Sequence, residues 1–381
     1  MTSTDIRDHY DIQDSYGAKV AHKILTVHPP QLCSGSTGID SLTTVLRRVY
    51  AHAMIGPEGL AQTKWVKDAE QNNPILAYAW TLMGNTEEDA TAAQLVRART
   101  IQSMGGIAGT DDPSFKELCT SDMMNRTFWS QRHFCLCYPV YGWRTHNILE
   151  QSPSVKATES IIMMDRIKSP EITLQEAVDS KFGDFNNEHS GELHYRPSQP
   201  LVVRVLLRTN GDVNNDPENR LRFKDLQRFQ MPQEDPKKVD KGWILVEGKR
   251  LNYTIAAVVK MREVEAKNHP NVNQNEVETE DKVRTYGPSR NEIIPAYEDQ
   301  HLMSTRWSVE DQRPYPMEYM LFYIPFKPER KEKLEGPGET GRAPEFNVKA
   351  WQGVQDLFGF ARRRRNATKA ENDSQPGPSN E

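Results

Sequence analysis

The segment 251–261 (LNYTIAAVVKM) constrains the fold more than any other stretch of the chain. Tyr253, Ile255, Ala257 and Val259 share one face at a period of two, while Ala256 and Val258 keep the opposite face apolar. A strand apolar on both faces has no side to give to water, so it belongs in the interior of a sheet. A second strong strand is expected over 318–326 (EYMLFYIPF), with a polar loop carrying His269 and a short segment over 281–294 between the two. A buried strand followed by a histidine-bearing loop is one way to present a base at a sheet edge. An ordinary solvated loop histidine gives the same pattern.

The rest of the chain reads in blocks. Residues 1–20 are mostly polar and are expected to be disordered. The Gly/Ser-rich turn QLCSGSTGID then leads into Ile39, Leu42, Val45, Leu46 and Val49 at helical spacing, with Thr37 or Asp40 as a cap. The free N–H groups at such a helix end favour a thiolate or an oxyanion, although a capped core helix has the same sequence pattern. Helices are expected to continue to residue 124, interrupted at Asp111-Asp112-Pro113. Strands begin near Phe128 and run through HFCLCYPVYGW and SIIMMDRI. The helix LQEAVDSKF follows, with Thr173 and Glu176 at capping-box spacing, and then the strand PLVVRVLLR. After a polar insertion over 210–220, LRFKDLQRF and GWILVEG read as a pair of shorter strands. Helices first and strands later, with little alternation, indicate an α+β fold rather than a doubly wound sheet.

Composition narrows the function. Forty-eight Lys and Arg against 53 Asp and Glu give a net charge of -5, which argues against a nucleic-acid partner. No apolar run approaches the roughly 18 to 20 residues that span a bilayer, and the first residues lack the apolar core of a signal peptide. An intracellular protein of the cytoplasm and/or nucleus is expected. The four cysteines, Cys33, Cys119, Cys135 and Cys137, are too few for a disulfide framework in 381 residues. Residues 327–381 are rich in charge, Gly and Pro and are expected to be a disordered tail. Within that tail, 347–361 carries Trp351, Val354, Leu357 and Phe358 as an amphipathic stripe, followed by Arg362, Arg363, Arg364 and Arg365. The stripe and basic run read as a nuclear-import patch, a docking helix, a membrane-surface contact or a solvated terminus.

Several of these stretches, in this order, resemble the ubiquitin-specific protease family of papain-like ubiquitin carboxyl-terminal hydrolases. The resemblance covers roughly residues 27–326. TLQEAVDSKF (173–182) is similar to the family's T-L-E-E-A-L helix, and PLVVRVLLR (200–208) to its P-x-V-L-x-I-x-L-K-R-F strand, with Thr209 in place of the phenylalanine. YTIAAVV (253–259) resembles Y-x-L-x-A-V-V, and YMLFY (319–323) the closing A-Y-x-L-F-Y strand. The resemblance implies a helical thumb over 21–124 and a β-rich fingers and palm region over 128–326.

In that family a cysteine thiolate attacks the carbonyl after the last glycine of ubiquitin. A histidine activates the cysteine, and an Asp or Asn orients the histidine. The nucleophile's G-N-T-C turn corresponds here to Gly35, Ser36, Thr37 and Gly38, so a glycine stands at the attacking position and a serine at the oxyanion-binding one. His269 matches the general base, with Pro270 after it in place of an aromatic residue. The segment of the orienting residue aligns with 283–291 and puts Gly287 and Pro288 at its acidic positions. The alternative is an active cysteine-type deubiquitinase in which Cys33 pairs with His269, and Asp281, Glu298 or Asp299 orients the ring.

Many relatives carry two C-x-x-C pairs that bind zinc. Here Cys135 and Cys137 form only C-x-C, and 193–196 holds no cysteine, so even with His133, His146 or His194 no metal is expected. No cofactor is expected either. The resemblance thus implies a catalytically impaired protein of the ubiquitin pathway that binds ubiquitin or a partner. A non-enzymatic scaffold is the second alternative.

Overall fold

The segment 251–261 becomes the strand around which the sheet is built. In the computed structural model the described residues are 4–27, 37–83, 87–104, 113–142, 148–187, 191–239, 242–262, 280–287, 290, 292–293, 307–311, 313 and 315–326. They form a mixed α+β structure. Its strands are β1 (Cys137–Gly142), β2 (Ile161–Asp165), β3 (Gly183–Asn187), β4 (Gly191–Pro197), β5 (Val203–Thr209), β6 (Arg228–Met231), β7 (Glu234–Val239), β8 (Gly242–Glu247), β9 (Leu251–Lys260), β10 (Lys282–Thr285) and β11 (Met317–Pro325).

The main sheet has the order β10-β9-β11-β5-β2, and β6 also pairs with β9. Strand β9 lies against β11 along one edge, while β6 pairs with its first half and β10 with its second. These pairings are antiparallel, and only the outermost strand β2 runs parallel to its neighbour β5. A three-stranded sheet β1-β4-β3 and a hairpin β7-β8 complete the strand inventory of the described residues.

The alternation expected along β9 is broken by a bulge. Register with β11 slips between Phe322 and Tyr323, which face Ala257 and Ile255, so Ala256 has no partner of its own in that ladder. One extra residue reverses the facing of everything beyond it. Tyr253, Ile255 and Val258 therefore enter one hydrophobic cluster, and Ala257 and Val259 enter the other. The first of these clusters also holds Phe229, Tyr323 and the Leu174–Asp179 helix; the second is the helical side, with Leu42, Trp80 and Phe128.

Three local expectations are corrected. At the N-terminus the expected disorder does not hold over the described residues 4–20, because Ile6–His9 and Ser15–Val27 are helices. Its few apolar residues are well used: Ile6, Tyr10 and Ile12 are buried, the Ile6 N–H donates to the Trp80 carbonyl at 2.9 Å, and Arg7 bridges to Glu70 at 2.8 Å. Strands do not begin at Phe128. Residues 125–129 form a π-helical turn that buries Phe128 and Trp129, and the first strand starts at Cys137. LRFKDLQRF is not one strand: it splits into a 3-10 turn (Phe223–Leu226) and the start of β6, which joins β9, while β8 pairs with β7. Pro236 hid β7 in the sequence, since a two-stranded hairpin has free edges where proline is tolerated. The tail over 327–381, with its stripe at 347–361, lies outside the described residues.

Candidate functional site

The helix Thr37–Ala53 runs through the interior, and its N-terminal end is where the resemblance puts a nucleophile. Ile39, Leu42, Val45 and Leu46 are fully buried, as the spacing predicts, but so are Ser41, Thr43 and Arg47 on the other faces. Polar side chains on a helix buried all round ordinarily pair inside the protein, but the Ser41 and Thr43 hydroxyls have no hydrogen-bond partner among the described residues. Arg47 donates to the carbonyls of Ala79, Thr81 and Ile24 at 2.8 to 2.9 Å, and Arg48 Nε donates to the Tyr286 carbonyl at 2.9 Å. Asp40, in the first turn, accepts from Arg97 Nε and Nη2 at 2.8 Å each, a bidentate pair beside the positive end of the helix.

At position 38 the chain has no room for a side chain. A Cβ built on Gly38 would stand 2.2 Å from the Pro113 carbonyl oxygen, 2.6 Å from the Ser114 carbonyl carbon and 2.7 Å from the Phe115 nitrogen. These are backbone atoms, and they are held in place. The Phe115 N–H donates to Asp281 Oδ2 at 2.9 Å, and Ser114 caps the helix Phe115–Cys119 in a reciprocal box with Glu117. Asp281 also accepts from the Arg262 N–H at 2.9 Å and from Arg262 Nε at 3.1 Å, while Arg262 Nη2 donates to the Pro113 carbonyl at 3.2 Å. Loop 113–115 is thus fastened between the long helix and the strand ends at residues 262 and 281.

Asp281 is fully buried. Burial raises its carboxyl above the usual value, while the Phe115 and Arg262 N–H groups and the Arg262 charge pull the other way. A carboxylate committed to two backbone donors and an arginine is a structural tie.

Most of the other expected site residues are not among those described. Cys33, Gly35, Ser36, His269, Pro288, Glu298 and Asp299 lie outside the described residues, and Thr37 is described only by its backbone. Gly287 is described, but it follows β10 at Tyr286, the residue that meets Arg48. Ten helical residues separate Arg48 from Gly38, a distance of about 15 Å, so Gly287 is not brought to the helix end; Asp281 is. Cys119, Cys135 and Cys137 are buried free thiols. Burial pushes Cys119 up to about 11 and Cys137 up to about 12, and raises Cys135 as well. None of these three is a thiolate at neutral pH. Among the described residues no group of three or more His, Cys, Asp and Glu is placed to hold a metal ion. No helix among them is long and apolar enough to cross a membrane.

Sequence reasoning named Asp40 as a cap and Asp281 as an orienting residue, and it missed their arginine partners. Arg97 is 57 residues from Asp40 in the chain, and no local signal joins them.

No family model matches the chain, and no curated protein matches it at a significant level. Among solved structures, the PAN2 pseudoubiquitin-hydrolase of Saccharomyces cerevisiae is similar with a TM-score of 0.29 and 10% identity, over 84% of this chain and 90% of that one. At that TM-score the likeness carries no argument about this chain.

Proposed function

We propose that the chain is a ubiquitin-specific-protease-like protein that acts by binding ubiquitin or a partner protein and not by hydrolysis. On this reading the helices over 21–124 are the thumb, and 128–326 the fingers and palm. The observation that carries the reading is Gly38, whose place at the head of the long helix is walled by the Pro113 carbonyl at 2.2 Å from any Cβ. Loss of the nucleophile alone costs such a triad on the order of a million-fold in turnover. On this reading the place of the nucleophile is also closed off by backbone atoms.

A ubiquitin probe with a thiol-reactive C-terminal group tests the reading. The full chain should remain unlabelled, and labelling that disappears in Cys33→Ala would overturn the non-catalytic assignment. Titration with ubiquitin should show saturable binding, and none at high micromolar concentration would remove ubiquitin as the partner.

A further inference from the structure

Two separate sheets meet at one histidine. His194, on β4 and 9% exposed, places Nδ1 2.8 Å from Asp184 Oδ1 and Nε2 3.1 Å from Glu234 Oε2. Asp184 is its cross-strand partner on β3, so that contact lies within the three-stranded sheet. Glu234 opens β7, so the second contact joins that sheet to the β7-β8 hairpin. Among the described residues the charged groups facing the ring are Asp184 from β3 and Glu234 from β7. Arg196, two residues along β4, reaches the Glu234 carbonyl with Nη2 at 2.9 Å.

Ionised carboxylates only accept hydrogen bonds, and an imidazole donates from both nitrogens only when it carries both protons. A neutral ring would leave one carboxylate, the more exposed Asp184 or the largely covered Glu234, facing a lone pair. We propose that His194 is a proton-dependent tie, which fastens the β7-β8 hairpin to the three-stranded sheet when doubly protonated and loosens it when one proton leaves. The Arg196 bond to the Glu234 carbonyl and the Gln199–Gln233 amide contact at 3.0 Å do not involve the His194 proton, so the hairpin is loosened and not detached.

The direction of the response follows from the environment. Burial pulls the His194 imidazolium down, but hydrogen bonds and charges from Glu234 and Asp184 carry it above its ordinary value of 6.5. A base whose proton affinity is raised by folding stabilises fully below its unfolded value, and the contribution fades as pH rises through the folded one. The tie is therefore complete below about pH 6.5 and weakens above it.

The test uses the full chain. The His194 ring is titrated by NMR, with its signals assigned by their absence in His194→Gln, and amide exchange over 234–239 and 242–247 is followed from pH 6 to 8 with correction for intrinsic base catalysis. We expect a titration midpoint above 6.5 and hairpin opening that increases on the order of three- to tenfold across the range. Glu234→Gln, which keeps the ring and its Asp184 partner, should lower the midpoint and flatten the response even where His194→Gln fails to fold. A midpoint at or below 6.5, or the same corrected exchange profile in wild type and Glu234→Gln, would overturn the proposal.

Discussion

Replacing Gly38 with alanine is the sharpest test of the sealed helix end. In an unobstructed helix the change gains stability, about 0.5 to 1 kcal/mol, because alanine loses less backbone freedom on folding. Here the new methyl would stand 2.2 Å from the Pro113 oxygen, so that carbonyl must retreat by about 1 Å to reach ordinary contact. Overpacking of this kind costs roughly 1 to 3 kcal/mol. The retreat also stretches the Phe115 to Asp281 bond, now 2.9 Å, and the Arg262 to Pro113 bond, now 3.2 Å. A hydrogen bond to a charged group contributes about 1.5 to 3 kcal/mol, and part of that is lost. The net expectation is destabilisation of about 2 to 4 kcal/mol, measured by urea unfolding as a lower midpoint at an unchanged slope. A variant as stable as the wild type, or more so, would refute the packing described for residues 113–115.

Other perturbations probe the same framework. Asp281→Asn should cost roughly 3 kcal/mol in the same unfolding assay, because it strands Arg262 beside a buried amide; a change below about 1 kcal/mol would mean that solvent already screens the pair. Thr173→Ala removes the hydroxyl that caps the Leu174–Asp179 helix and should lower stability by about 1 kcal/mol, whereas an unchanged midpoint would show the cap to be dispensable. In a Cys33→Ala background the three remaining thiols should react with an aromatic disulfide reagent only after denaturation. Rapid reaction of the native protein would contradict the burial of Cys119, Cys135 and Cys137.

Much of the framework was legible because it rests on local chemistry. The Thr173 and Glu176 capping box is a three-residue relation, and it forms as read. The spacing of Ile39, Leu42, Val45 and Leu46 specified a helix, and the helix buries those four side chains. The candidate site was legible only in part. The sequence showed that Gly38 carries no thiol, yet it could not show that Pro113, 75 residues away in the chain, closes over that glycine.

What the sequence alone determined about this protein is where apolar periodicity is strong: helices early, strands late, a strand over 251–261 in the middle of a sheet and a second strong strand over 318–326. Those features depend on a residue and its near neighbours. The tertiary structure decided the rest. A bulge at Ala256 puts Val258, and not Val259, in the core of Tyr253 and Ile255, because pairing with β11 fixes the register and no pattern within β9 does. The N-terminal residues are ordered because Trp80 and Glu70 receive them. The helix end is shut because Asp281 and Arg262 hold loop 113–115 against it. Each is a contact between residues far apart in the chain, whose energy exists only once the chain has closed on itself.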